Sequence, residues 1–143
     1  MDIRRRRLRA GLSQRQLARL SGIAQPNISA YESGRLAPSP VTLARIEEVT
    51  RVRPSVLVQH MREEIRNAAA LHRASNVRIF GSVARGSDTV SSDLDVLVHF
   101  SEAASLYDQI GLAQDLEELL GISVDVVSDG AAGADAIEHV VPV

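Results

Sequence analysis

The sequence predicts two small domains, an all-α bundle followed by an α+β domain with a mixed sheet, and three observations lead to this prediction. Arginine dominates the first half, because residues 1–60 hold eleven Arg against four Asp and Glu, whereas residues 61–143 hold five against fourteen. Gly and Pro punctuate short helical segments in the first half, while β-branched runs are concentrated in the second. A chain of 143 residues has room for two such domains.

The composition also excludes several classes of protein. There is no Cys, no leader-like apolar region at the amino terminus, and no apolar run near the roughly 18 to 20 residues of a membrane span. We therefore expect a cytoplasmic protein that has no disulfides and does not associate with a membrane. The basic half favours a polyanionic partner, and the acidic half leaves room for metal ions.

Four helices are expected in the first half, and their ends have recognisable chemistry. Ser13 and Gln16 form a capping box for the second helix, and Gly22 ends it. Ser39 and Pro40 have the N-cap and first-turn chemistry that opens the fourth helix. We expect these helices to bury a common apolar core of Leu17, Leu20, Ile23, Ile28, Leu43 and Ile46.

Two short helices joined by a tight glycine-containing turn make up "GLSQRQLARLSGIAQPNISAYESGR". This segment resembles the phage-repressor-like (Xre/Cro type) helix-turn-helix family over about residues 3–58. The resemblance implies that the third helix enters the major groove, with Gln25, Asn27 and Ser29 facing base edges. Side-chain amides suit bidentate pairing with adenine. The implied partner is a palindromic operator DNA bound by a homodimer.

Further contacts follow from the same resemblance. Phosphate contacts, or support of Gln25, are implied for Gln14, Arg15 and Arg35. The arginines at 4–7 either contact DNA or form a solvated helix face. Tyr31 is interpreted as a core or covering side chain rather than a base reader.

The domain limits expected from the sequence are 1–60 and 61–143, with a fifth short helix closing the first domain at "PSVLVQHM". An apolar stripe at helical spacing predicts a helix that packs on a sheet: Met61, Ile65, Ala68 and Ala69. The β-rich runs "VRIF" (77–80), "LDVLVHF" (94–100) and "SVDVVS" (123–128) predict its strands. An amphipathic helix between the last two begins with a capping box, Ser105 with Asp108, and ends at Gly121.

Two carboxylates separated by one residue point to metal chemistry. Asp93 and Asp95 would lie on one face of a strand, with Leu94 on the other. Like charges on one strand face repel unless a cation lies between them. If the strand with Asp125 pairs alongside, three carboxylates converge, and carboxylate oxygens suit Mg²⁺. Two nearby carboxylates, Asp129 and Asp135, remain alternatives as solvated loop residues or as ligands.

A glycine and a serine precede this acidic strand, where backbone N–H groups and a hydroxyl can hold a phosphate. "GSVARG" followed by "SDLDV" and then "VDVVS" resembles the minimal nucleotidyltransferase (MNT) branch of the DNA polymerase β superfamily, over about residues 62–143. By that resemblance Gly81 and Ser82 bind a nucleoside triphosphate, and Arg85 either binds phosphate or ties to the acidic strand. The resemblance also implies two Mg²⁺ ions bound by the catalytic carboxylates, which would be Asp93, Asp95 and Asp125. Ser92 is expected to make a local hydrogen bond.

The two resemblances together imply a function. Free MNT proteins are associated with HEPN-domain toxins, so the implied protein is an antitoxin that transfers AMP from ATP to a hydroxyl, typically of tyrosine, on a HEPN-type toxin. The attached DNA-binding domain implies transcriptional autorepression. Two alternatives remain: a non-catalytic DNA-binding antitoxin that acts by occlusion, and a small-molecule nucleotidyltransferase of the aminoglycoside-modifying kind.

The remaining polar and aromatic residues receive plainer interpretations. The four histidines lack metal-ligand spacing and are interpreted as surface or partly buried residues. Tyr107 is expected to pack within its helix layer rather than to accept a nucleotide.

Overall fold

The computed structural model describes all 143 residues. Contacts divide the chain into two compact units, Met1–Val52 and Arg53–Val143. The expected limits of 1–60 and 61–143 differ from this division in the segment 53–60, and they stay a prediction. No helix in the structure combines the length and the apolar composition that a membrane crossing requires.

Four helices form the first unit: α1 (Ile3–Arg9), α2 (Gln14–Ser21), α3 (Gln25–Glu32) and α4 (Pro40–Val49). Their ends follow the predicted chemistry. Both hydrogen bonds of the Ser13–Gln16 capping box are present, and Gly22 ends α2 in the left-handed conformation. The Ser39 side chain accepts a hydrogen bond from the N–H of Thr42 at the start of α4.

Five of the six residues expected in the core of the first unit are buried or partly buried there, but the prediction for Leu20 is wrong. Leu17, Ile23, Ile28 and Ile46 are buried and Leu43 is partly buried. Leu20 is 57% exposed. At 3.6 residues per turn, the buried face of α2 is centred between Leu17 and Ser21, and Leu20 lies well to one side of it.

The second unit is a mixed four-stranded sheet with helices. Its helices are α5 (Pro54–His60), α6 (Arg62–Leu71), the short α7 (Gly81–Arg85) and α8 (Leu106–Leu120); its strands are β1 (Ala74–Phe80), β2 (Leu94–Phe100), β3 (Val124–Ser128) and β4 (Val141–Pro142). The spatial order is β3-β2-β1-β4. Strand β1 is antiparallel to both β2 and β4, whereas β2 and β3 are parallel.

One face of this sheet is the core of the second unit. Helices α6 and α8 contact each other as well as the strands. Buried side chains from both layers meet there, and they include Ile65, Ala69, Leu112, Leu116, Leu120, Leu94, Val96 and Val98. Since successive strand residues alternate between faces, Asp95 is directed to the opposite face. The predicted fold class, a helical bundle followed by a small mixed α+β domain, is confirmed.

Candidate active site

The parallel pairing of β2 with β3 brings two of the predicted carboxylates side by side. Asp95 and Asp125 are register partners, so their side chains share one face of the sheet. Leu94 and Val96, on either side of Asp95, are fully buried on the other face. Asp95 is half-buried and Asp125 is exposed, so this pair lies between the sheet and solvent.

Electrostatics at Asp95 reflect this crowding. Burial, and then the negative charges of Asp125 and Asp93, raise the pKa of the Asp95 carboxyl, while the positive charge of Arg85 opposes them. Asp93 is exposed and immediately precedes β2. A bound cation would relieve the repulsion among these three carboxylates.

Glycine at position 81 is required by two independent features. Strand β1 ends at Phe80, which pairs with Asp95, and Gly81 follows with a φ of +71°. That left-handed conformation is unfavourable for other residues. A Cβ added at Gly81 would also collide with the Oδ2 atom of Asp95. A side chain at position 81 would therefore force the Asp95 carboxylate to move.

Gly81 is the first residue of a five-residue helix, α7, rather than part of an open turn. Ser82 is partly buried in its first turn, and its carbonyl oxygen accepts a hydrogen bond from the N–H of Ser87 at 3.0 Å. At the other end of α7, Arg85 is exposed. The side chain of His139, which comes from near the end of the chain, donates from Nε2 to the carbonyl oxygen of Ala84 at 3.1 Å.

The carboxylates of Asp93, Asp95 and Asp125 have the chemistry that a hard cation requires, but their side chains do not converge into a complete metal site. No group of three or more His, Asp or Glu side chains in the chain is arranged to hold a metal ion. Carboxylate oxygens from neighbouring strands are nevertheless the ligands that Mg²⁺ prefers. The close approach of Gly81 to Asp95 places a candidate phosphate cradle directly beside them.

Of the nearby alternatives, Asp129 has partners of its own. Its two carboxylate oxygens accept hydrogen bonds from Arg78 Nη2 at 2.9 Å and from His99 Nδ1 at 3.1 Å. Burial alone would raise the pKa of Asp129, but these two donors outweigh it and lower the pKa. Asp135 is exposed in a short 3-10 helix (Ala134–Ala136). Asp125 therefore has the better position beside Asp95.

The predicted DNA-contacting residues occupy two environments. Gln25 and Asn27 are exposed in the first turn of α3, and Ser29 is partly exposed. Arg15 and Arg35 are exposed as well. Gln14 is different, because its Nε2 donates to Glu32 Oε2 at 2.9 Å within the unit.

A buried ion pair explains the environment of Gln14. Arg7 donates from Nε and Nη2 to the two carboxylate oxygens of Glu32, at 2.6 and 3.2 Å, and from Nη1 to the carbonyl oxygen of Leu12. Both side chains are about nine-tenths buried or more. Arg7 is therefore bonded inside the first unit and is not part of a solvated face, unlike the exposed Arg4 and Arg5. No local pattern distinguishes it, because Glu32 lies 25 residues away.

Other interpretations from the sequence have mixed outcomes. Tyr31 packs against the core of the first unit, and Ser92 Oγ accepts a local hydrogen bond from the N–H of Thr89, both as expected. The four histidines are exposed or partly buried, also as expected. The prediction that Tyr107 packs is wrong, because it is 85% exposed. The buried stripe of α8 begins five residues later, at Leu112, so Tyr107 lies on the far side of the helix.

Sequence reasoning missed Asp88, whose side chain is inaccessible to solvent. Its partners are Arg53 and Ser55, more than thirty residues earlier in the chain. A contact over that separation leaves no periodicity or spacing that could have revealed it.

Comparison with known proteins identifies the class. Residues 61–139 match the nucleotidyltransferase domain family, and residues 3–57 match the helix-turn-helix family. The chain belongs to the nucleotidyltransferase domain family and carries an Xre-type helix-turn-helix domain before it. This confirms both resemblances seen in the sequence.

Individual relatives carry the name protein adenylyltransferase. A protein of Methanocaldococcus jannaschii with the provisional name protein adenylyltransferase MJ0435 is 46% identical over 57 residues, which are 40% of this chain and 61% of that protein. Protein adenylyltransferase MntA of Thermococcus cleftensis is 40% identical over 73 residues, which are 51% of this chain and 70% of that protein. A solved structure, provisionally described as a minimal nucleotidyltransferase, is 40% identical with a TM-score of 0.56, and the match covers 62% of this chain and 95% of that one.

Proposed function

We propose that this protein is a protein adenylyltransferase that acts as an antitoxin and represses its own transcription. It transfers AMP from ATP to a hydroxyl, that of a tyrosine, on a HEPN-type toxin partner. The observation that carries the proposal is the pairing of Asp95 with Asp125 beside the glycine at position 81. The names of the relatives support protein as the class of acceptor.

The residues divide the chemistry between them. The backbone at Gly81 and the hydroxyl of Ser82 hold the triphosphate, and Arg85 compensates part of its negative charge. Two Mg²⁺ ions would be held by Asp93, Asp95 and Asp125. When bound, such ions act as Lewis acids that stabilise negative charge on the phosphates. Asp125 orients the acceptor hydroxyl, whose oxygen attacks the α-phosphorus of ATP. The bond from that phosphorus to the β-phosphate bridging oxygen breaks, pyrophosphate leaves, and Asp125 accepts the hydroxyl proton.

The first unit supplies the repressor function. Its exposed recognition-helix residues, Gln25 and Asn27, have the amide groups that read adenine in the major groove. Exposed arginines at 4, 5, 15 and 35 provide positive charge for phosphate contacts. We propose that a homodimer binds a palindromic operator of the protein's own operon.

The proposal is tested by transfer of label from α-labelled ATP, with Mg²⁺, in host lysate that contains the product of any adjacent gene. One labelled protein band is expected, and it should disappear with the double variant Asp93→Asn, Asp95→Asn. Glu117→Gln, which removes one carboxylate charge elsewhere in the same unit, is the control, because Glu117 is exposed on α8, away from the buried stripe.

Other outcomes would identify the alternatives. Label confined to small molecules would support a small-molecule nucleotidyltransferase. If no label appears, and the double variant still protects cells from the toxin, the protein neutralises its partner by occlusion and the catalytic proposal is wrong.

A further inference from the structure

A buried carboxylate outside the proposed active site joins that site to helix α5. Asp88 lies in the loop between α7 and β2. Its Oδ1 accepts a hydrogen bond from Arg53 Nη2, and its Oδ2 accepts one from the backbone N–H of Ser55, each at 2.9 Å. The side chain of Asp88 is fully buried, whereas that of Arg53 is 47% exposed.

Helix α5 lacks a cap of its own, and Asp88 provides one. The N-cap position is Arg53, which makes no side-chain capping hydrogen bond. The N–H of Ser55 is one of the first-turn donors that a helix cannot satisfy internally. Burial alone would raise the pKa of Asp88, but the hydrogen bonds from Ser55 and Arg53 outweigh it and hold the pKa low. Asp88 is therefore ionised at neutral pH and bonded at both oxygens.

The chain from Asp88 to the proposed catalytic carboxylates is short and internally bonded. The N–H of Thr89 donates to Ser92 Oγ at 2.8 Å, and the N–H of Ser92 donates to the carbonyl oxygen of Thr89 at 3.0 Å. Asp93 follows directly. On the other side, the N–H of Ser87 is bonded to the carbonyl oxygen of Ser82, in the proposed phosphate cradle. Asp88 thus anchors the segment that connects the cradle to the carboxylates.

We propose that Asp88 is a positioning residue for nucleotidyl transfer, which acts by holding the 86–93 segment on helix α5 so that Ser82 and Asp93 keep their spacing. This inference rests on the proposed function. It also assigns a role to α5, which lies outside the part of the chain, 61–139, that matches the nucleotidyltransferase family.

Full-length variants test the inference through the steady-state kinetics of AMP transfer. Asp88→Ala should lower kcat by on the order of 10- to 100-fold, with the KM for ATP changed much less, because misplacement of a reacting group affects the chemical step. Arg53→Ala, which leaves the Ser55 bond in place, should have a smaller effect. Arg53→Lys should restore most of the activity by retaining a charged donor. The control is Arg62→Ala, an exposed arginine in the same unit.

A merely structural role for Asp88 would give a different result. In that case Asp88→Ala would lower the melting temperature, but kcat per folded molecule would equal that of the wild type, and the inference would be overturned.

A second measurement separates this inference from the proposed function. If the wild-type protein transfers no AMP, the proposed function fails, and hydrogen exchange still tests whether Asp88 holds the 86–93 segment in place. The backbone amides of 89–93 should exchange at least about tenfold faster in Asp88→Ala than in the wild type. Equal exchange rates would overturn the positioning role whatever the activity.

Discussion

Glu32 in the first unit and Asp95 in the second are both at least partly buried, but their electrostatic environments are opposite. In the first unit, Glu32 receives two hydrogen bonds from Arg7 and one from Gln14. The hydrogen bond from Arg7 lowers the pKa of Glu32 against the opposing effect of burial. In the second unit, burial and two neighbouring carboxylates raise the pKa of Asp95.

This difference separates a structural charge from one arranged for chemistry. A buried carboxylate that is paired with an arginine favours the folded structure in which the two side chains meet, because either charge alone would be costly to bury. A carboxylate close to other carboxylates destabilises the folded state unless a cation binds beside it. Groups with pKa values perturbed in this way are concentrated at functional sites. The predictions below would break or sharpen this contrast.

The largest effect is expected from Asp95→Asn. Loss of a proposed metal-binding carboxylate should lower the rate of nucleotidyl transfer by more than about 100-fold. Residues that only hydrogen-bond to metal ligands typically cost about 10- to 100-fold, and a ligand itself should cost more. Stability should not fall with it. Because the folded-state pKa of Asp95 is raised, its contribution to stability is present below the unfolded pKa and is lost as pH rises through the folded value.

Thermal unfolding between pH 3 and pH 8 checks the second part of this prediction. Asn cannot ionise, so the variant should unfold at or above the wild-type temperature near neutral pH. A melting temperature several degrees lower at pH 7 would mean that Asp95 is structural, as Glu32 is.

Glu32→Gln should have the next largest effect, on stability. Removing one charge of a buried ion pair leaves Arg7 uncompensated, and about 3 kcal/mol of the free energy of unfolding should be lost. In the wild type, the lowered pKa of Glu32 gives stability that is present above the unfolded pKa and lost as pH falls through the folded value. The variant should lack this acid dependence.

Urea unfolding followed by circular dichroism measures this change, with Glu47→Gln, an exposed residue on α4, as control. If Glu32→Gln and Glu47→Gln unfold at the same urea concentration, the ion pair contributes nothing, and the contrast with Asp95 disappears.

Substitutions in the recognition helix should have intermediate effects on DNA binding. Gln25→Ala and Asn27→Ala should each weaken binding to the promoter DNA of the protein's own operon by about 1–3 kcal/mol. For about six neutralised phosphates, log K should fall with log[salt] at a slope of about −5, which these two variants should keep. Arg15→Ala should reduce the slope by about 1.

Titrations at several salt concentrations give both quantities. A flat salt dependence would argue against phosphate contacts. Equal losses for Gln25→Ala and for Arg62→Ala, in the second unit, would argue against the assignment of α3 as the recognition helix.

The smallest effects are expected where apolar side chains are exposed. Leu20→Gln and Tyr107→Gln should change the free energy of unfolding by less than about 0.5 kcal/mol, as surface substitutions do. Leu17→Ala, in the same helix as Leu20 but fully buried, should cost about 2–5 kcal/mol. Urea unfolding compares the three, and a large loss for Leu20→Gln would show that it is packed in solution.

Sequence reasoning succeeded where the determinants are local. The capping box at Ser13 follows from residues three positions apart and has both of its hydrogen bonds. At Ser105 the backbone N–H donates to Asp108 Oδ2, as the same spacing predicts. Strand β2 has the predicted limits, because turn residues and an alternating pattern bound it clearly. The same kind of alternation predicted a strand that contains Asp125, but its pairing beside Asp95 entered the sequence analysis only as a condition and is seen in the structure.

The features that sequence reasoning missed depend on distant partners or on helix rotation. Strand β4 is two residues long, includes a proline, and exists through its pairing with Arg78 and Ile79. The environments of Arg7 and Asp88 are set by residues 25 to 35 positions away. The exposure of Tyr107 depends on which face of α8 the sheet covers, and a local pattern of apolar residues does not determine that.

Helix α5 has a consequence for how such proteins are assembled from parts. It follows the first compact unit in the chain, yet its amino terminus is bonded to the loop of Asp88. A gene fusion that exchanged the DNA-binding module at residue 61 would remove Arg53 and Ser55 and leave a buried carboxylate without either partner. A crossover before Arg53 would keep Asp88 with both partners, so on this proposal the catalytic module is longer than the family match, 61–139, by helix α5.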